Sequence, residues 1–235
     1  MKKLLSLMLF LSLSVVADDN EIYVDQVGAT ANIDLEQLGS GNIIGGLLSA
    51  HGSMTNFDLD GTSMTLDVNQ IGNNNKMLGD INADTFTGLF DFDGDTNSYT
   101  IQVDPTNANS ADSSNVNVNV DGSTNTMTLD LAKTSLSSGA DIDTIVQGNT
   151  NTVHIDLDVD SATNYIDLDG DSNTVDYNGD GYAGAYFKLE HDGGTRTFDI
   201  DQQSTQDNDW LRVISNGSGG TYCIQQDDQG TSTSC

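Results

Sequence analysis

After about residue 20, apolar and polar residues alternate with period two. Early segments are Val24-Asp25-Gln26, Leu35-Glu36-Gln37, Phe57-Asp58-Leu59 and Val68-Asn69-Gln70. Later ones are Phe90-Asp91-Phe92, Val118-Asn119-Val120, Val153-His154-Ile155 and Ile166-Asp167-Leu168. Successive side chains of a strand point to opposite faces, so this alternation predicts half-buried β-strands. Apolar residues and Gln share the inward face. Asp, Asn and Thr share the outward one.

Glycines punctuate the strands on a lattice. Gly28, Gly39, Gly61, Gly72 and Gly94 are separated by 11, 22, 11 and 22 residues, and Gly122, Gly148 and Gly170 follow at 28, 26 and 22. In six cases an Asn stands three residues on: Gly39/Asn42, Gly72/Asn75, Gly94/Asn97, Gly122/Asn125, Gly148/Asn151 and Gly170/Asn173. Gly28 and Gly61 have Ala31 and Met64 there instead. The strand parity runs through each Asn and turns it inward.

A repeat of this kind predicts an all-β solenoid of two-strand coils, each about 22 residues. A single strand cannot bury its apolar face, but stacked coils can. Inward Asn and Gln then lie over their equivalents and bond along the stack, as amide ladders do in cross-β structures. A buried amide left unpaired would cost about 1–3 kcal/mol, so a continuous ladder is favoured over a stray copy. Asn42 to Thr55 keeps the length with extra glycines. Pro105 to Ser114 and Lys133 to Ala140 are expected to be surface insertions, which account for the intervals of 28 and 26. A β-sandwich and an Asp/Asn-rich disordered chain are the competing patterns.

Composition narrows the class. Of 235 residues, 36 are Asp or Glu and 7 Lys or Arg, for a net charge of −29. Asp, Asn and Gly disfavour helices, and so acidic a surface repels nucleic acid. Met1 to Ala17 has a basic start at Lys2 and Lys3 and then an apolar run, the form of a cleavable export signal. No later stretch is apolar enough to span a bilayer. Removing residues 1–17 takes away two cations and no acid, leaving −31. The mature chain is therefore expected to be secreted and to depend on salt or divalent cations. In an oxidising compartment Cys223 and Cys235 are expected to form a disulfide.

Several units resemble the curlin repeat of bacterial curli fibres, whose pattern includes Gln-x-Gly-x-x-Asn. Glu36-Gln37-Leu38-Gly39-Ser40-Gly41-Asn42 and Asn69-Gln70-Ile71-Gly72-Asn73-Asn74-Asn75 match it, and Asp25-Gln26-Val27-Gly28 matches the first half. The full motif is confined to about residues 20–76. Beyond that Phe92, Val120, Val146 and Leu168 replace Gln while Gly and Asn persist to about residue 177. The resemblance implies an extracellular β-solenoid that adds copies edge to edge as a fibre, in adhesion or matrix. The high Asp content departs from that family.

Candidate chemistry is sparse. Asp176-Tyr177-Asn178-Gly179-Asp180-Gly181-Tyr182 matches the first half of a calcium loop, with ligands expected from Asp176, Asn178, Asp180 and the Tyr182 carbonyl, though Phe187 stands where the twelfth ligand belongs. Calcium is thus the one candidate cofactor. His51, His154 and His191 lack metal-ligand spacing, and no residue set points to an enzyme. Thr126, Thr152 and Thr174 predict an outward Thr row, as on ice-binding solenoids.

The expected organisation is a signal at 1–17, repeats at 18–200, and a C-terminal β-hairpin cap at 201–235 built on Trp210 and the disulfide. The N-terminal coil, with Gln26 and Gln37, is expected to be the open end. Two readings follow. The first is a structural or adhesive surface protein whose partners are its own copies, other curlin-like subunits or a host surface. The second is a monomeric, calcium-stabilised binding module on a bacterial or virion surface.

Overall fold

The computed structural model describes residues 20–45, 57–104, 111–132, 137–181, 184–203 and 208–227. The expected export signal, Tyr182 and Cys235 lie outside the described residues. Among the described residues sixteen strands form one hydrogen-bonded spiral: β1 (Asn20–Ile22), β2 (Asp25–Val27), β3 (Thr30–Leu38), β4 (Asn42–Ile44), β5 (Phe57–Ile71), β6 (Lys76–Asp93), β7 (Thr96–Val103), β8 (Asn115–Asp121), β9 (Thr124–Leu131), β10 (Ser137–Ser138), β11 (Asp141–Gln147), β12 (Thr150–Asp160), β13 (Thr163–Asp180), β14 (Tyr186–Gln203), β15 (Trp210–Asn216) and β16 (Gly219–Asp227). Every pairing is parallel. The protein is a parallel β-solenoid. Among the described residues no helix is long and apolar enough to cross a membrane.

The register gives the length of each winding. Starting from Gln37, stacked positions are Gln70, Phe92, Val120, Val146, Leu168, His191 and Ser215. The steps are 33, 22, 28, 26, 22, 23 and 24 residues. The long steps are the windings that include residues 46–56, 105–110 and 133–136. The expected coil length holds in two steps, and the first winding is longer by half a coil. Gly28 and Gln26 belong to a second corner, where Gln26 stacks under Leu59 and Ile81 and far above them comes Gln202. They do not share the column of Gly39 and Gln37.

Period-two alternation becomes burial directly. β8 alternates exposed and buried along its whole length, and in β12 every second residue is buried while those between are exposed or half-buried. One inward column runs Ile44, Met77, Tyr99, Met127, Val153, Val175 and Phe198, all buried. Across the core the Phe92 and Tyr99 rings stack with centroids 3.5 Å apart. Each fully buried large side chain stabilises the fold by about 1.5–3 kcal/mol relative to exposure.

The GxxN arcs nest. A Cβ on Gly94 would stand 1.9 Å from the Gly72 carbonyl oxygen, and on Gly122 equally close to that of Gly94. The next corner can therefore approach only a residue without a side chain. Three residues on, the Asn amide ties the corner together. Asn97 Nδ2 donates to its own arc at Gly94 O (2.9 Å), to Asp121 O of the next winding (3.3 Å) and to Asn125 Oδ1 (2.9 Å).

The expected C-terminal hairpin is not formed. β15 and β16 do not pair with each other; each lies parallel on β14 and continues the spiral. The turn after Asn216 looks like a hairpin turn in sequence, but Gly217 lies close over the Gly193 carbonyl, so it is another nested corner.

Candidate functional site

Three features of the spiral carry polar chemistry: the inward ladder, the acidic outer face, and the two ends. The ladder runs through Asn97, Asn125, Asn151 and Asn173, each Nδ2 donating to the next Oδ1 at 2.9 Å. Asn42 and Asn75 lie in the same column and donate to carbonyls of their own and the next winding. Gln70 Nε2 donates to Gln37 Oε1 at 2.6 Å. The sequence-predicted arc residues are thus brought together, apart from Gln26 and Gly28 at the other corner. At the C-terminal end the ladder changes chemistry. Arg196 occupies the next Asn position, and Asn173 Nδ2 donates instead to His191 Nε2 at 2.8 Å. Arg196 Nε donates to the Tyr222 hydroxyl.

On the outer face after each Asn corner, a column runs Asp25, Asp58, Asp80, Gln102, Asp130, Asp156, Asn178, Asp201 and Gln225. Amides interrupt the acids: Gln102 Nε2 donates to Asp130 (3.1 Å) and Asn178 Nδ2 to Asp156 (3.0 Å). Burial, then the charges of Asp25 and Asp60, push the Asp58 carboxyl above its usual range. Burial and Asp58 do the same to Asp80, and burial with Asp180 to Asp158. Burial and Asp156 raise Asp180. These carboxylates crowd one another and gain by screening or a bound cation. A shallow groove of about 450 Å3 along the glycine corner is also acid-walled, by Asp93, Asp95 and Asp121.

The expected calcium loop is not a loop. Asp176, Asn178 and Asp180 all lie on β13, pointing outward at alternate positions of an extended strand. Positions two apart on a strand are separated by about 6.6 Å, so the three cannot wrap one ion in the way a loop does. They belong to the acidic face instead. Asp176 Oδ2 lies 3.0 Å from His154 Nδ1. The expected Thr row does form: Ser98, Thr126, Thr152, Thr174 and Thr197 stack in register and are exposed. Cys223 lies on β16 in the outward column of Asp176 and Asp199.

The ends remain open among the described residues. β2 and β3 pair only with β5, and β15 and β16 only with β14. Their inward residues are half-buried where inner windings are fully buried: Ile22, Val24, Ile33 and Leu35 at one end, Leu211 and Val213 at the other. Tyr222 and Ile224 of β16 are over 40% exposed, which marks the unfinished edge of the core. The sequence reading expects the first end to be open and the second to be capped.

No family model, curated protein or solved structure matches the chain. The class the geometry defines is an acidic parallel β-solenoid.

Proposed function

We propose that the protein is a secreted, non-enzymatic surface protein whose solenoids add copy to copy as a fibre with an adhesive or matrix role. The observation that carries this reading is the pair of ends left open among the described residues. An unpaired strand edge is a template for another strand. Unlike ends that fit each other generate filaments when the repeat does not close. Continuing the columns places β1 and β2 of one copy on β16 of the next. Ile22 then meets Tyr222, Val24 meets Ile224, and Gln26 meets Gln226 as a further amide rung.

A second reading is favoured by the acidic face. The crowded carboxyls of Asp58, Asp80, Asp158 and Asp180 suit a monomeric module stabilised by calcium, which takes oxygen ligands. Mature protein at micromolar concentration, with and without calcium, separates the two. Cross-β diffraction and thioflavin binding by fibres support the first. A persistent monomer in sedimentation, with a calcium-dependent rise in Tm, overturns it in favour of the second.

A further inference from the structure

We propose that Asp130, His154 and Asp156 form a binding site for one divalent transition-metal ion, with zinc the best match. Asp130 lies on β9; His154 and Asp156 lie on β12, one winding further along the spiral. One ligating atom from each lies within 4.8 Å of the other two. The side chains come from two windings held in a hydrogen-bonded register, so the arrangement is set by the fold rather than by a loop.

The imidazole makes this cluster different from the acids around it. Along its outward column, the neighbours of His154 are Thr100, Thr128, Asp176 and Asp199. His191, the other histidine among the described residues, faces the core. Asp176 Oδ2 lies 3.0 Å from His154 Nδ1. A carboxylate only accepts, so Nδ1 donates, and the nitrogen open to a metal is Nε2 of the neutral ring. This is the carboxylate–histidine–metal relation in which the outer acid fixes the tautomer and the orientation of the ring. Asp176 is therefore a positioning residue, and this use of it differs from the calcium loop read in the sequence.

The two carboxylates are also positioned. Asp130 is 5% exposed and is held through Oδ2 by Gln102 from the preceding winding. Asp156 is held through Oδ1 by Asn178 from the following one. One nitrogen and two carboxylates suit zinc and its neighbours, whereas calcium and magnesium take oxygen ligands alone. Three protein ligands leave at least one position for water or an outside donor. The bound ion would join β9 to β12 and offset the repulsion between Asp130 and Asp156, which are adjacent in the acidic column.

The test uses full-length mature protein stripped with a chelator and dialysed. Zinc is titrated calorimetrically in a large excess of calcium and magnesium, which fills the generic carboxylates. The expected result is one equivalent of zinc bound well above background, with an upward shift in Tm. His154→Ala and Asp130→Asn each weaken it by at least tenfold, and Asp176→Asn by about tenfold. Asp91→Asn, on the opposite outer face, leaves it unchanged. His154→Gln, judged folded by its far-UV spectrum, guards against loss by misfolding, and cobalt substitution reports the imidazole ligand in its visible bands. No stoichiometric zinc binding above the calcium background overturns the proposal, as does undiminished binding by folded His154→Gln.

Discussion

Asn173 Nδ2 sits 2.8 Å from His191 Nε2, joining the amide ladder to an imidazole. The amide nitrogen donates, so Nε2 accepts, and the imidazole proton is on Nδ1, 3.0 Å from Ser215 Oγ. Protonation at Nε2 would set donor against donor inside the fold. Burial and then the Arg196 charge hold the His191 pKa below its ordinary value, opposed by Asp192 and Asp169. A group depressed in the folded state is protonated first in the unfolded state. Its contribution is complete above the ordinary histidine range and is lost as pH falls through that range to the folded value. Urea unfolding from pH 7.5 to 5.5 should show a loss of stability in the parent relative to His191→Gln, which keeps an acceptor and a donor. An identical pH dependence in the two proteins would show that His191 does not titrate in this way.

The acidic face acts with the opposite sign. The carboxyls of Asp58, Asp80, Asp158 and Asp180 are all raised, first by burial and then by neighbouring acids. The folded state therefore takes up these protons before the unfolded state does. Their penalty is fully present above the raised values and is relieved as pH falls through them towards the ordinary carboxylate range. Adjacent charges one rung apart, about 4.8 Å, repel by roughly 0.9 kcal/mol per pair in unscreened water. At neutral pH, Tm should rise steeply between 10 mM and 1 M salt, as the Debye length falls from about 30 to 3 Å. Asp80→Asn should raise Tm at low salt and make little difference at high salt. A Tm independent of ionic strength would remove this account.

The nested corners give a sharp pair of substitutions. Gly122→Ala would place a Cβ 1.9 Å from the Gly94 carbonyl oxygen, with the buried Asn97 and Asn125 amides also within 2.8 Å and both held in the ladder. A cost of about 3 kcal/mol, the top of the usual overpacking range, is expected. Gly219 has nothing within 4 Å of the same position. Gly219→Ala should be neutral, or stabilising by about 0.4–1 kcal/mol through the unfolded chain. Chemical denaturation of the two variants checks the contrast, and equal costs would deny the nesting.

The ladder itself can be cut. Asn125 Nδ2 donates to Gly122 O, Gln147 O and Asn151 Oδ1, and its Oδ1 accepts from Asn97. Asn125→Leu leaves these partners unsatisfied inside the core and should cost about 3 kcal/mol, more than one lost amide bond alone. Its outward neighbour Thr126 is exposed, and Thr126→Val should change stability by no more than about 0.5 kcal/mol. Unfolding midpoints decide between this and a core indifferent to its amides.

How far these features were visible in sequence depends on which residues kept one period. Gly39 to Gly170 and Asn42 to Asn173 gave the corner and its ladder, because both residue types recur together. Gly193 and Gly217 continue that corner without Asn, since Arg196 and Gly220 stand three residues on. The last winding therefore reads as a separate cap in the sequence. Asp176, Asn178 and Asp180 satisfy a calcium-loop pattern and strand alternation equally, and only the strand pairing tells them apart. The Asp130, His154 and Asp156 cluster joins residues on different windings. The step of 26 between Gly122 and Gly148, carried along to Asp130 and Asp156, was the one signal that could have found it.

Assembly is tested most directly at β16. Ile224 is 42% exposed on the last winding, and continuing the columns brings it under Val24 of a second copy. Ile224→Glu puts a charge where an apolar contact is required, beside Asp25 of the incoming strand. Removing a half-exposed side chain from an edge should cost the single molecule no more than about 1 kcal/mol. Fibre growth, followed by light scattering and electron microscopy, should fall by at least tenfold. Val24→Asp, at the opposite end, should block growth in the same way, and a mixture of the two variants should stop at pairs, because the one intact joint they can form leaves both outer ends blocked. Val120→Ala, in the middle of the spiral, should lower Tm without slowing growth of the molecules that remain folded. Growth of Ile224→Glu at the parental rate would place the contact elsewhere on the molecule.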